Sequence, residues 1–219
     1  AGGRLMGGFA ILGGSGFDVM SGIEELGREL PETPYGMPSA PVIRGRLQGR
    51  EFLFLPRHGA GHKLPPHRIN YRANIWALQH LGAERVLALA AVGGIGRAFG
   101  PGVLAIPDQI IDYSWGRAHS FYDGDAQEVV HVDFTRPYCE QLRNALLTAG
   151  HRADVDLVAC GTYGVTQGPR LETAAEIVRL ERDGCDLVGM TAMPEAALAR
   201  ELGMCYACCA FVVNWAAGK

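Results

Sequence analysis

Short apolar runs alternate along this chain with longer segments whose apolar positions recur at helical spacing. The runs are bounded by glycine, proline or charged residues and lack a regular polar face, which is typical of strands buried in a sheet. The predicted strands are FAIL (9–12), two strands about Gly49 within 42–59, RVLALAAVGG (85–94), the region 102–113 broken by Pro107, DLVACG (156–161), DLVGM (186–190) and MCYACCAFVV (204–213).

Four segments between the strands predict helices. The segment NYRANIWALQHLG begins at Asn70, carries apolar residues at helical spacing and stops at Gly82. The other helical segments are 136–149, 171–183 and PEAALAREL, which has Pro194 at its first position and Gly203 after its end. Residues 114–135 predict a loop. Because strands and helices alternate without a repeat or a linker, the pattern indicates one α/β domain with a largely buried sheet.

The composition is that of a globular domain with a sizeable core, since 48% of the 219 residues are hydrophobic and 20% are charged. The net charge is −3 and no basic block occurs, so binding to nucleic acid through a charged patch is not indicated. No apolar run approaches the roughly 20 residues that cross a bilayer. The first residues also lack a secretory signal pattern. We therefore expect a cytoplasmic protein that binds neither nucleic acid nor membrane.

The six cysteines do not form the disulfide framework of a small secreted scaffold, because the chain is too long for one. CYACC (205–209) contains one CxxC, but it has no second CxxC and no nearby histidine, whereas structural zinc needs four ligands. We expect buried free thiols in a strand and no metal site.

The glycine-rich turn GGSG (13–16) directly follows the first predicted strand. Glycines there let backbone N–H groups crowd around an anion, and Ser15 adds a hydroxyl. The turn matches neither a dinucleotide fingerprint, because position 19 is Val, nor a Walker loop. A simple tight turn remains an equally good interpretation.

A basic loop follows the strand that ends in FLFLP. It holds Arg57, His58, His62, Lys63, His67 and Arg68. Loops at the carboxyl ends of strands bind ligands in open α/β sheets, and the planar fork of arginine suits phosphate. A solvated surface loop is the alternative. A metal site on the three histidines is disfavoured, because Gly59 and Gly61 oppose the helix that would align them.

Three further residues lie at or just before the starts of predicted helices. Glu172 falls in the first turn of the helix predicted at 171–183, where pairing with the helix dipole would explain it without any function. Met190 and Thr191 fall between a strand and a helix, and Met190 could simply belong to the core. The residues alone leave these alternatives open.

Taken together, several stretches resemble the trimeric purine nucleoside phosphorylases and the related methylthioadenosine phosphorylases. They follow the family's order, cover nearly the whole chain, and are GGSG, PRHG with INYRANIWAL, AVGGI with PGVLAIPDQIID, SFYDG, TQGPRLETAAE, GMTAMPEAALARELGMCYA and VVNWAAGK. The resemblance implies a single α/β nucleoside phosphorylase domain over residues 1–219, with a twisted mixed central sheet flanked by helices. It also implies a homotrimer with active sites near subunit interfaces.

The implied reaction is phosphorolysis, in which a purine nucleoside and inorganic phosphate give a free base and a sugar 1-phosphate. Phosphate is a co-substrate, and the resemblance implies no cofactor. Positive charge grows on the sugar and negative charge on the departing base, so the protein must hold an anion below the sugar and accept charge on the base. The family's phosphate-binding positions match Ser15, Arg57, His58, Ala91 and Thr191. Relatives often carry a hydroxyl where this chain has Ala90 and Ala91, so only the backbone of Ala91 can serve here. His58 could alternatively do no more than hold its loop.

The resemblance places Asn214 and Glu172 at the purine, and with His58 they are the candidate catalytic residues. Adenine-specific relatives carry two aspartates where this chain has Asn214 and Ala216, and a serine where it has Glu172. A carboxamide can donate to a 6-oxo oxygen and accept from N7–H, and a glutamate can accept from N1–H. Both positions therefore favour a 6-oxopurine.

The remaining substrate positions implied by the resemblance surround the sugar. Met190 matches the residue packed on the ribose, and Leu171 and Gly93 match further nucleoside contacts. His62 and His131, the latter from a neighbouring subunit, are candidates for the wall around the 5′ group. The overall resemblance to bacterial members favours 5′-methylthioinosine as substrate. Family members continue past Lys219 with a helix that helps cover the 5′ group, so we expect these residues to form that pocket only in part.

Alternative functions stay open. Inosine or guanosine phosphorylase and methylthioadenosine phosphorylase are alternatives within the same family. A nucleoside hydrolase would attack with water and would need neither Arg57 nor an anion-binding turn. A non-catalytic nucleoside-binding protein would agree with the missing hydroxyl at Ala90 and Ala91.

Overall fold

The computed structural model describes residues 8–14, 22–124 and 129–219. Among these residues the chain forms eleven strands and four α-helices. The strands are β1 (Gly8–Gly13), β2 (Glu24–Glu29), β3 (Val42–Leu47), β4 (Arg50–Pro56), β5 (Ala83–Gly94), β6 (Leu104–Ala105), β7 (Gln109–Asp112), β8 (Leu157–Val158), β9 (Thr162–Val165), β10 (Leu187–Gly189) and β11 (Cys205–Trp215). The helices are α1 (Tyr71–His80), α2 (Glu140–Arg152), α3 (Ala174–Arg182) and α4 (Ala192–Glu201).

One mixed sheet contains all of these strands, in the order β2-β3-β4-β1-β5-β10-β9-β7 with β11, β6 and β8 branching from β5. The fold prediction of an α/β domain with a mixed sheet and flanking helices is confirmed. β5 is the central strand because it is the longest and has partners on both edges. It pairs in parallel with β1 along one edge and with β11 along the other, and its last residues pair with antiparallel β10. The carboxyl ends of the parallel strands β1, β4, β5 and β11 therefore meet at one edge of the sheet.

The apolar runs form the core, as their composition requires. Leu12, Leu53 and Val86 are fully buried in adjacent strands, and Ile75 and Leu78 of α1 pack into the same cluster. Helix α1 begins where the sequence predicts, because the side chain of Asn70 accepts the backbone N–H of Ala73.

Two predicted helices begin three or four residues too early. The prediction of a helix over 171–183 is corrected to α3, because Thr173 caps it with a hydroxyl that accepts from the backbone of Glu176 while Glu176 returns a bond to the backbone of Thr173. The prediction of 136–149 is corrected to α2, because Cys139 has an extended backbone and is the N-cap. In α4 the backbone of Met193 is also extended, so regular helix starts at Pro194, as predicted.

The strand predictions need two corrections. Only β8 forms within the predicted strand 156–161, and the following residues build β9 instead. The sequence reading missed β2 altogether, since all six of its residues are exposed and it carries no apolar pattern. It is held to β3 by backbone pairing and by ion pairs such as Arg44 with Glu29. The described residues of the loop predicted at 114–135 form no helix or strand.

The expectation of free thiols in CYACC is wrong for one cysteine. Cys205 forms a disulfide with Cys139, which joins the start of β11 to the cap of α2. The two cysteines are 66 residues apart, so no local sequence pattern indicates that they pair. Cys160, Cys185, Cys208 and Cys209 are free. None of the helices within the described residues is long and apolar enough to cross a membrane.

We expect this disulfide to stabilise the fold, because it closes a loop of 66 residues in the unfolded chain. Replacing both Cys139 and Cys205 with serine should lower the free energy of unfolding by about 2–4 kcal/mol in a non-reducing denaturant titration. The control Cys160→Ser removes an exposed free thiol and should leave stability unchanged. Equal stability of the wild type with and without a reductant would contradict the prediction.

Candidate active site

A cavity of about 640 Å³ opens where the parallel strands end. Ten of the predicted site residues line it, although they come from distant parts of the chain: Arg57, His58, His62, Ala91, Gly93, Leu171, Glu172, Met190, Thr191 and Asn214. Two do not belong to this group. Ser15 lies outside the described residues, and His131 is exposed and is not among the lining residues.

Arg57 follows the last residue of β4 and is almost wholly buried, with 1% exposure. Its Nε and Nη2 donate to the carboxylate of Glu195 on α4 at 2.6 and 2.8 Å, and its Nη1 donates to the carbonyl of Leu89 at 3.0 Å. Burial disfavours the charged guanidinium, but the charge of Glu195 and the bonds to it outweigh burial and raise the pKa of Arg57 above its usual range. The arginine is therefore a fixed cation at the cavity wall.

Sequence reasoning missed Glu195, which is as buried as its partner. It lies in the first turn of α4, where an acidic residue would ordinarily be assigned to the helix dipole. Its remaining contact is the phenol of Tyr206 on β11, which donates to Oε1 at 2.8 Å. A buried carboxylate needs such partners, and only the fold brings them together.

His58 is held by its own loop. Its Nδ1 donates to the carbonyl of Leu64 at 2.8 Å, and its ring centroid lies 4.2 Å from that of His62. Burial lowers the pKa of His58 below its ordinary value of 6.5, and the bond to Leu64 opposes that shift only in part. At neutral pH the imidazole is thus uncharged, with the Nε2 lone pair as its acceptor.

Glu172 lies ahead of α3, so the expectation that it occupies the first turn of that helix is wrong. Glu176 occupies that turn. Glu172 instead accepts a hydrogen bond from the hydroxyl of Thr166 and lines the cavity. The helix dipole therefore does not account for it, and its carboxylate is oriented by a neighbour.

Asn214 stands at an irregularity of β11. Val212 pairs with Val92 but Asn214 pairs with Gly93, so Val213 is an extra residue in the ladder. Such a bulge re-aims the following side chain. The Asn214 amide donates one N–H to the carbonyl of Trp215 at 2.6 Å, which fixes the plane of the amide.

Arg117 is a second residue that the sequence did not reveal, because it lies in the loop after β7. Its guanidinium donates to backbone carbonyls in two segments that line or support the cavity. These acceptors are Thr166, Gln167, Met190 and Met193. It also lies over the ring of Tyr71, 5.5 Å from the centroid. One side chain therefore fixes the segment before α3 against the segment before α4.

The side chain of Met190 packs closely against the backbone of Gly168. Gly168 has φ of 64°, which favours glycine, and a Cβ there would lie 2.5 Å from the Met190 sulfur and would displace that side chain. Within the part of the chain that the structure describes, no group of three or more His, Cys, Asp or Glu residues could hold a metal ion.

Comparison with known proteins identifies the family of the chain. The family model of the phosphorylase superfamily matches residues 9–219, and the chain belongs to that superfamily. It is 57% identical over 209 residues to a probable S-methyl-5′-thioinosine phosphorylase of Xanthomonas campestris, covering 95% of this chain and 84% of that protein. It is 50% identical over 215 residues to the 6-oxopurine nucleoside phosphorylase of Pyrococcus furiosus, covering 95% of this chain and 80% of that one.

A solved structure shows the same architecture. The methylthioadenosine phosphorylase of Schistosoma mansoni in complex with tubercidin superposes with a TM-score of 0.93 at 34% identity, covering 97% of this chain and 83% of that one. The resemblance drawn from the motifs is confirmed.

We expect Arg117→Met to weaken both stability and turnover, because it would leave four backbone carbonyls without their donor. The free energy of unfolding should fall by roughly 2–4 kcal/mol. Phosphate-dependent turnover of nucleoside, measured as kcat/KM, should fall at least about tenfold, since misplaced binding groups cost rate steeply. The control Arg28→Met removes an exposed arginine on β2. Full activity of Arg117→Met would contradict the assigned role.

Proposed function

We propose that this protein catalyses the phosphorolysis of a 6-oxopurine nucleoside, preferably 5′-methylthioinosine, to hypoxanthine and 5-methylthioribose 1-phosphate. The observation that carries the proposal is the content of one cavity. It holds a buried arginine that can bind an oxyanion together with a glutamate and an asparagine that can bind a 6-oxopurine. Inorganic phosphate is the co-substrate, and the proposal requires no cofactor.

The phosphate end of the cavity would use Arg57, Thr191, the backbone at Ala91 and neutral His58. Ser15 belongs to the same proposal but lies outside the described residues. Phosphate held beneath the sugar stabilises the positive charge that develops at C1′ as the bond to the base breaks. The uncharged His58 can accept a proton from phosphate or from a sugar hydroxyl.

The base end would use Glu172 and Asn214. The Thr166 hydroxyl occupies Oε1 of Glu172, which leaves Oε2 to accept from N1–H of a 6-oxopurine. Asn214 gives one N–H to Trp215, and its amide oxygen can accept from N7–H of the departing base. An adenine lacks the N1 proton, so Glu172 would face an unprotonated ring nitrogen.

The names of the relatives support the same substrate class, since a probable S-methyl-5′-thioinosine phosphorylase is 57% identical to the chain and a 6-oxopurine nucleoside phosphorylase is 50% identical. Met190, Leu171 and Gly93 would contact the nucleoside. His62 would wall the 5′ group together with His131 of a neighbouring copy in a homotrimer. The whole chain would act as one nucleoside phosphorylase domain.

An assay of methylthioinosine, inosine and methylthioadenosine at fixed phosphate tests the proposal. We expect methylthioinosine to give the highest kcat/KM and base release to depend on phosphate. Equal base release without phosphate would instead support a nucleoside hydrolase. No turnover of any substrate would support a non-catalytic nucleoside-binding protein.

We expect Asn214→Asp to move preference toward 6-aminopurines, because a carboxylate accepts from an amino group but cannot donate to an oxo group. The ratio of kcat/KM for methylthioadenosine to that for methylthioinosine should rise at least about tenfold. Asn144→Asp makes the same charge change on the exposed face of α2 and should leave the ratio unaltered. An unchanged ratio in Asn214→Asp would show that Asn214 does not read the base.

A further inference from the structure

We infer that Glu195 and Tyr206 are positioning residues that set phosphate affinity by orienting Arg57. This inference rests on the proposed function and names residues that none of the motif matches assigned. The three side chains form a buried hydrogen-bonded chain. Arg57 follows β4, Glu195 lies on α4 and Tyr206 lies on β11. All three are buried, with Arg57 1% exposed, Glu195 0% and Tyr206 2%.

The hydrogen-bond inventory of Arg57 shows what remains for a ligand. A guanidinium has five N–H groups. Two go to Glu195 and one goes to the carbonyl of Leu89. One N–H therefore remains on each terminal nitrogen, and Arg57 lines the cavity. Two parallel donors are the arrangement that binds an oxyanion in bidentate fashion.

Glu195 changes how such a site attracts phosphate. Its carboxylate compensates the charge of Arg57 before any anion arrives. The net charge of the Arg57–Glu195 pair is thus small. Phosphate binding therefore depends mainly on the direction of the two remaining N–H groups of Arg57. Orientation then depends on the partner that holds the opposite edge of the guanidinium plane, which is Glu195.

Tyr206 fixes Glu195 in turn. Its hydroxyl donates to Oε1, the same oxygen that accepts Nη2 of Arg57. Without that phenol the carboxylate would keep no hydrogen bond among the described residues except those from Arg57. The pair would then be held only by the bond from Arg57 to the carbonyl of Leu89, and its orientation would be less fixed. A loss of orientation would weaken phosphate binding and leave the base and sugar contacts untouched.

The neighbouring Tyr138 offers a matched control. Its ring stacks on that of Tyr206, with centroids 6.1 Å apart and planes 13° apart. It is equally buried, but its hydroxyl has no hydrogen-bond partner among the described residues. Tyr138→Phe therefore removes the same atom from the same cluster without touching Glu195.

The test compares Tyr206→Phe with Tyr138→Phe in the full chain. Titration calorimetry with inorganic phosphate alone gives the Kd, and steady-state assays give separate KM values for phosphate and methylthioinosine. We expect Tyr206→Phe to raise the Kd and KM for phosphate roughly five- to twentyfold, which is less than the full effect of a lost bond to a charged group because Tyr206 acts on phosphate only through Arg57. The KM for nucleoside should change less than about twofold, as should every constant of Tyr138→Phe.

Glu195→Asp gives a second variant, since it withdraws the carboxylate by one methylene and should weaken phosphate more than Tyr206→Phe does. If it does not fold, Tyr206→Phe decides alone. Equal phosphate Kd in the two phenylalanine variants, or equal increases in both KM values of Tyr206→Phe, would overturn the inference. A wild type that neither binds phosphate nor uses it would overturn the proposed function as well, which separates the two failures.

Discussion

The end of β5 has no room for side chains, and the candidate site depends on that constraint. A Cβ on Gly94 would lie 1.7 Å from the carbonyl oxygen of Phe99, and one on Gly93 would lie 3.1 Å from the side chain of Val188. The two glycines therefore let the backbone of Phe99 and the side chain of Val188 on β10 approach the end of β5, while β11 pairs along its other edge. This convergence places the segment that follows β10 and the bulge of β11 beside one cavity.

Arginines then fix what the strands bring together. Arg57 pairs with a buried carboxylate, and such a pair is weak evidence for net stability, because desolvation opposes its attraction. Arg117 donates instead to backbone carbonyls, so it fixes the chain path rather than a side chain. The first arrangement orients a binding group, and the second holds the segments that carry such groups.

Much of the fold and of the site could be predicted from the sequence, and the failures have a common cause. Buried strands such as β5 carry a continuous apolar signal, and glycines and basic residues after them indicate a ligand loop. Glu195 and Arg117 gave no such signal, because their partners lie far away along the chain and only packing brings them close. Glu172 was predicted in the first turn of a helix but lies just before α3, since the local pattern does not show that Thr173 provides the cap. The strand β2 was not predicted for a different reason: all of its residues are exposed, so it has no buried face that would produce an alternating apolar pattern.

That same strand closes one end of the sheet. An uncovered strand normally offers its free backbone groups to any other extended chain. On β2 every side chain is exposed, and Glu24, Glu25, Arg28 and Glu29 surround those groups with charge. A second sheet that docked there would have to strip water from these ions. The charged border therefore disfavours edge-to-edge pairing of this sheet with another extended chain.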